Sequence, residues 1–321
     1  MSKKTRVLIT GATGFVGQHL WRALEEEGRS GGADFTIFGT AYPEPPSPGA
    51  KGLFFADLRS EQDISNVVRE TKPDWVFHLA AFSSVRDSWQ MRRETIETNV
   101  IGIHNLLEAV RQEAPGARVL FVSSADVYGT GGGSSKPLDE ESPIEITSPY
   151  AFSKAAGEIL CGFYTRAEHL DIVIARPFPH TGPGQSPRFV CSDWARQIVR
   201  IERGECPPVV KVGDIEVHRD FSDVRDVVSA YILLMQKGRK GEVYNVCSGK
   251  AVALCDILGL LVGGASNKVS VTVEKDPTKL RKNDVPRLVG KNRKILRETG
   301  WTPAYPLDRS LSDLLDCWRQ Q

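Results

Sequence analysis

No stretch of this 321-residue chain stays apolar over the roughly 18 residues that a membrane-spanning helix requires. The opening "MSKKTRVLIT" lacks the longer apolar core and small-residue cleavage pattern of a secretory leader. A soluble, cytoplasmic protein with no membrane partner is expected. An excess of one charge is missing too: 41 basic against 40 acidic residues leave +1, so nothing global draws the chain to nucleic acid. Any anion must be held by a local site. The six cysteines, Cys161, Cys191, Cys206, Cys247, Cys255 and Cys317, form no C-x-x-C pair. They read as reduced small apolar residues rather than a disulfide frame. The six histidines show no metal-ligand spacing, so no metal is expected.

What the chain does have is alternation. The apolar runs "RVLIT", "FTIFGT", "LFFAD", "WVFHLAA", "RVLFVSS" and "DIVIARPF" are separated by longer helical patterns. That rhythm marks a parallel sheet covered on both faces, an α/β doubly wound (Rossmann) architecture. In "VGQHLWRALEEEG", Val16, Leu20 and Leu24 recur at helical spacing and Gly28 follows as a stop. After about Arg176 the rhythm loosens into Pro- and Gly-rich turns and shorter elements. The expected division is a dinucleotide-binding domain over residues 1–175 and a smaller α/β substrate lobe over 176–321, with a segment of about 219–248 returning to the first.

"RVLITGATGFVGQHL" sets Gly11, Gly14 and Gly17 directly after an apolar strand and at the start of a helix. Glycines there allow a tight turn and close backbone approach to a pyrophosphate, whose charge meets the free N–H groups of the helix start. A dinucleotide cofactor is therefore expected. The second strand ends in "FGTAYP": Thr40 is neutral, no acid follows before Glu44 and no arginine stands there. An acid would favour NAD by taking the ribose hydroxyls. Its absence leans toward NADP(H), with NAD(H) possible.

"SPYAFSKAAGE" places Tyr150 and Lys154 one helical turn apart. A phenol titrates near pH 10, so using it as a proton carrier near pH 7 means stabilising its anion by roughly 4 kcal/mol. A cation about 4 Å away is worth about 1 kcal/mol in water and about 4 at an effective dielectric near 20. Lys154 can tune Tyr150 if the site is shielded. "FVSSADVYG" puts Ser124 at the carboxyl end of a buried strand, on the rim where such folds bind ligands.

The G-x-x-G-x-x-G spacing with this Ser, Tyr and Lys resembles the extended short-chain dehydrogenase/reductases. The resemblance implies Ser124 as the group that orients substrate, Tyr150 as the acid/base, and Lys154 as the residue that lowers the tyrosine's pKa and holds the nicotinamide ribose. It carries Thr13, Phe15 and Val16 to the cofactor with the glycines and Thr40. Asp57 and Leu58 of "FFADL" match the adenine-contacting pair, Leu79, Ala80 and Ala81 of "HLAA" line the cofactor, and Pro177 and His180 lie beside it. His180 is a pocket-wall candidate or an ordinary packed histidine.

Later segments narrow the match. "ARPFPHTGPGQSPRFV", "VGDIEVHRDFSDVRDVVSAY", "GEVYNVCSGK", "DPTKLRKNDVPRLVG" and "TGWTP" resemble GDP-6-deoxy-4-keto-D-mannose reductases. This implies a GDP-sugar substrate, with Arg219 and Arg281 on the diphosphate, and Ser83, Val85, Ser124, Pro179 and Val190 around it. Each arginine could instead be a solvated ion pair. A guanidinium suits a diphosphate because it binds bidentately. Two residues depart from the pattern: Pro179 stands where relatives carry Asn, and Lys291 where they often carry Asp. The alternatives are a GDP-mannose 4,6-dehydratase, which needs an extra acid where this chain has Asp126, and another sugar-nucleotide epimerase or dehydratase. By analogy a homodimer is expected, paired through the helix after "TNVIG" and the helix carrying Tyr150.

Overall fold

The computed structural model describes residues 4–30, 34–47, 49–130, 136–266, 270–280 and 285–321. From its start the chain alternates β1 (Thr5–Thr10), α1 (Phe15–Arg29), β2 (Phe35–Ala41), β3 (Leu53–Phe55), α2 (Glu61–Thr71) and β4 (Trp75–His78). Two short helices, α3 (Val85–Ser88) and α4 (Arg92–Ile96), lead through a π-helical turn (Glu97–Ile101) into α5 (Gly102–Glu113). Then come β5 (Arg118–Val122), a 3₁₀ turn (Ala125–Tyr128), α6 (Pro149–Ala167) and β6 (Asp171–Pro177). α6 starts where chemistry sets it: the Ser148 hydroxyl accepts from the Ala151 amide at 3.0 Å, and Pro149 occupies the first turn.

From β6 the chain leaves through β7 (His180–Thr181), α7 (Val190–Glu202), β8 (Val209–Val212), β9 (His218–Arg219) and β10 (Ser222–Asp223). α8 (Val224–Lys237) then brings it back to β11 (Val243–Val246), a further strand of the first sheet. The remainder comprises β12 (Val252–Ala253), α9 (Leu254–Gly263), β13 (Thr272–Lys275), β14 (Arg287–Leu288), α10 (Arg293–Thr299) and α11 (Leu307–Arg319).

The main sheet is parallel, in the order β11-β6-β5-β4-β1-β2-β3. Strand succession reverses between β1 and β4, which opens a crevice at their carboxyl ends, the usual ligand position in such sheets. Val7, Ile9, Phe77, Leu120 and Val173 pack one face against α1 and α8, while Leu8, Val76, Val119 and Ile172 pack the other against α2, α5 and α6. Burial on both faces is why these strands read as unbroken apolar runs. A separate core joins α7, α9 and α11 through Trp194, Ile198, Ile257 and Leu314. Tyr128, Phe178, Cys247 and Leu288 belong to a further small cluster, apart from these cores.

Candidate active site

Gly11 has φ +72°, and a Cβ there would come within 2.9 Å of the Ala80 backbone. At Gly17 a Cβ would stand 2.2 Å from the Gly11 carbonyl, so helix and strand close only without one. Gly14 caps α1 with no side-chain bond, and the first turn holds no acid. The result is a bare backbone cradle at a helix N-terminus, which fits a pyrophosphate. Thr13 and Gly14 are exposed, and Phe15 and Val16 are half-buried. The Phe15 ring lies parallel to that of His180, centroids 6.2 Å apart, so β7 reaches the cradle. Pro177 ends β6, and His180 holds its Nδ1 3.0 Å from the Phe178 carbonyl oxygen.

Thr40 turns inward: it is 3 % exposed, and its hydroxyl accepts from the Gly11 amide at 3.2 Å. It braces the glycine turn. Leu58 is buried, and Asp57 is gripped by Arg59. The loop of Leu79, Ala80 and Ala81 is fixed from behind by Asn99. That side chain, buried in the π turn, accepts from the Phe82 amide at 2.7 Å and donates to the Phe82 carbonyl at 3.0 Å and the Ser153 hydroxyl at 2.9 Å. π turns of this kind recur at functional sites. Nothing in "ETNV" announces this role, because both partners lie on other elements.

Ser124, Tyr150 and Lys154 converge at the carboxyl end of β5, all nearly buried. Lys154 Nζ donates to the Val122 carbonyl at 2.8 Å and stands 5.9 Å from the Tyr150 ring centroid. Burial lowers its pKa to about 8. Burial also pushes the Tyr150 hydroxyl well above its usual range; the Asp126 carboxylate adds to this and a hydrogen bond with Ser124 opposes it. The lowering expected from Lys154 is therefore not what the fold alone produces, since the ammonium faces the Val122 oxygen and the ring. The protein holds Tyr150 protonated. Ser124 donates to Asp126 Oδ2 at 3.0 Å and accepts from the Asp126 amide at 3.1 Å, folding that acid back on its own turn.

Behind the triad lies a buried ionic network. Arg176 grips Glu158 through two bonds of 2.8 and 2.6 Å, and the Ser123 hydroxyl donates to the same carboxylate at 2.5 Å. Tyr128 accepts from Arg176 at 2.9 Å and donates to Asn245 at 2.7 Å, tying β6, β11 and the 3₁₀ turn together.

A cavity of about 380 Å³ opens over Asp126 and Ser148. Val85 and Arg219 line it, as the sequence suggested for substrate contacts. Arg86, Trp89 and Arg92 add a wall the sequence reading did not single out, although "VRDSWQMRRE" is visibly arginine-rich. Arg219 is nearly buried, with Nη1 donating to the His218 carbonyl at 2.8 Å. Ser83 is exposed just ahead of the Ser84 cap of α3, outside the residues lining this cavity. Pro179 offers its carbonyl to the Ser222 amide at 3.0 Å, and Val190 begins α7 against the second core. Arg281 lies outside the described residues. Lys291 pairs with Asp139 at 2.9 Å, so that departure ties the segment before α6 to the one after β14. Asp223 is the cap of α8.

A glycine cradle, a doubly wound sheet and a Ser-Tyr-Lys cluster define an NAD(P)-dependent oxidoreductase of the extended short-chain dehydrogenase/reductase class. The GDP-mannose 4,6 dehydratase family model matches residues 8–314, and the chain belongs to that family. It is 34% identical, over 98% of both chains, to a GDP-6-deoxy-D-mannose reductase of Pseudomonas aeruginosa. The structure of RMD from Pseudomonas aeruginosa complexed with NADPH superposes with a TM-score of 0.85 at 34% identity, covering 98% of this chain and 99% of that one. A Thermus thermophilus UDP-glucose 4-epimerase complex with NAD gives 0.85 at 27% identity, with the same coverage. The first of these neighbours carries NADPH and the second NAD. Among the described residues, no helix is long and apolar enough to cross a membrane.

Proposed function

We propose that this chain reduces the 4-keto group of a GDP-linked 6-deoxy-4-keto-hexose to a GDP-6-deoxyhexose such as GDP-D-rhamnose. The observation that carries this reading is the bond of 3.0 Å that Ser124 donates to Asp126, which occupies the further acid beside Tyr150. Reduction needs one proton donor at the new alkoxide, whereas dehydration needs a second, free acid/base. A reduced nicotinamide supplies the hydride when bound. Tyr150 then gives its proton to the sugar oxygen, and Ser124, which keeps its bond to Asp126, holds the tyrosine hydroxyl in place through their own hydrogen bond. Arg219 meets the diphosphate from the cavity wall. The similarity to the GDP-6-deoxy-D-mannose reductase supports this substrate class.

The dehydratase reading keeps one specific support, because Asp126 itself lines the cavity. Two assays separate the readings. Given GDP-4-keto-6-deoxy-mannose, the enzyme should consume NADPH; given GDP-mannose, it should leave the sugar unchanged. Conversion of GDP-mannose with no net use of cofactor would establish dehydration instead. Asp126→Asn should retain reduction within about threefold, whereas an acid/base role would cost about a hundredfold or more.

We also propose that two copies pair through α6 and the helix running from α4 into α5. Phe152, Ile159 and Phe163 are exposed along one stripe of α6, Ile159 by 72 %, and Ile96 and Ile101 are exposed on the neighbouring helix. Spacings of seven and four along α6 make the stripe continuous, which is the pattern of a helix awaiting a partner.

A further inference from the structure

The end of β2 carries neither the acid that favours NAD nor an arginine, yet the fold delivers an arginine there from another strand. Arg59 follows β3, and its Nη2 donates to the Tyr42 hydroxyl at 2.7 Å, with the guanidinium carbon 5.6 Å from the Tyr42 ring centroid. Tyr42 lies directly after β2. Asp57 holds the other side of the group, accepting from Nε at 3.0 Å and from Nη2 at 2.6 Å. Among the described residues Nη1 makes no hydrogen bond, and the Arg59 side chain is 39% exposed. Thr40, the other residue expected at this edge, is turned toward Gly11 and leaves the rim to Tyr42 and Arg59.

In a doubly wound sheet, the end of β2 is where the adenosine ribose is read. Resting on the reading of the glycine cradle as a dinucleotide site, we infer that Arg59, aimed by Asp57 and Tyr42, selects a cofactor phosphorylated at the ribose 2′ position. The planar guanidinium is already fixed along one edge, so little side-chain freedom is lost when Nη1 meets a phosphate. Asp57 also offsets part of the positive charge. The selection is therefore graded, and a cofactor without the phosphate still binds.

A surface ion pair between residues two apart contributes little on its own, and that simpler role would touch both cofactors alike. Calorimetric titration of the wild type, Arg59→Ala and Arg59→Lys with NADP⁺ and NAD⁺ separates the two. Arg59→Ala should weaken NADP⁺ by about 10- to 100-fold, the worth of a charge-assisted hydrogen bond, while NAD⁺ changes by less than about threefold. Arg59→Lys should fall between, because an ammonium keeps the charge and loses the planar fork. Equal losses for both cofactors, or no preference in the wild type, would overturn the assignment and leave the dinucleotide site standing. Failure of the wild type to bind either would remove that site, and the assignment with it. Thermal melts of the free variants confirm that each is folded.

Discussion

The ammonium of Lys154 donates to the carbonyl of Val122 at 2.8 Å, which pins the helix carrying Tyr150 to the end of β5, two residues before Ser124. One residue further along, Ser123 donates to Glu158, one turn beyond Lys154 on that helix. Two successive side-chain bonds thus set the spacing of the serine and the tyrosine.

This geometry dictates a pH dependence. Burial lowers Lys154 to about 8, so its ammonium is intact below that pH and lost above it. In the free enzyme, kcat/KM should fall as pH rises through about 8. For stability the sign is opposite: the unfolded chain keeps its proton to higher pH, so the cost of burying the charge fades between about 8 and the usual lysine range. Stopped-flow rates and urea titrations over the same buffers check both slopes. Lys154→Arg should move the descending limb to higher pH.

Gly17→Ala tests the cradle. The added methyl would stand 2.2 Å from the Gly11 carbonyl, and relief requires the turn itself to move. Overpacking of this kind costs about 1–3 kcal/mol. NADPH affinity should drop about tenfold or more in fluorescence titration, with a lower melting temperature for the free protein.

Removing one partner of the Arg176–Glu158 pair strands a charge where the side chains are only 5% and 8% exposed. Glu158→Ala should cost about 3–5 kcal/mol in urea denaturation. Arg93→Ala, which breaks an exposed pair with Glu97, should leave the midpoint unmoved.

Ile159→Glu and Phe163→Glu place charge on the open stripe of α6. Light scattering should find a dimer for the wild type and a monomer for the double variant at equal concentration. A wild-type monomer at tens of micromolar would contradict the proposed pairing.

The sheet was legible in the sequence because strands buried on both faces leave continuous apolar runs, and the cradle because Gly11 and Gly17 answer local steric demands. Tyr150, Lys154 and the start of α6 were legible from spacing and from Ser148 and Pro149. Long-range partners were not. Asn99 acts on Phe82 and Ser153, and Arg59 reaches Tyr42 across 17 positions, so neither relationship leaves a local pattern. The behaviour of Tyr150 was hidden for the same reason: helical spacing gives the distance to Lys154 along α6, but not the Val122 carbonyl that claims its ammonium.

The return of the chain through α8 to β11 fixes how this enzyme can be assembled and cut. A ribosome finishing β6 has made a sheet whose last strand still shows a bare hydrogen-bonding edge. That edge is closed only after the segment from β7 to β10 has emerged and been set aside. Expressed alone, the upstream half would show that edge to other chains, and a nick between β6 and α8 leaves both fragments holding strands of one sheet. Such fragments should stay associated until denatured.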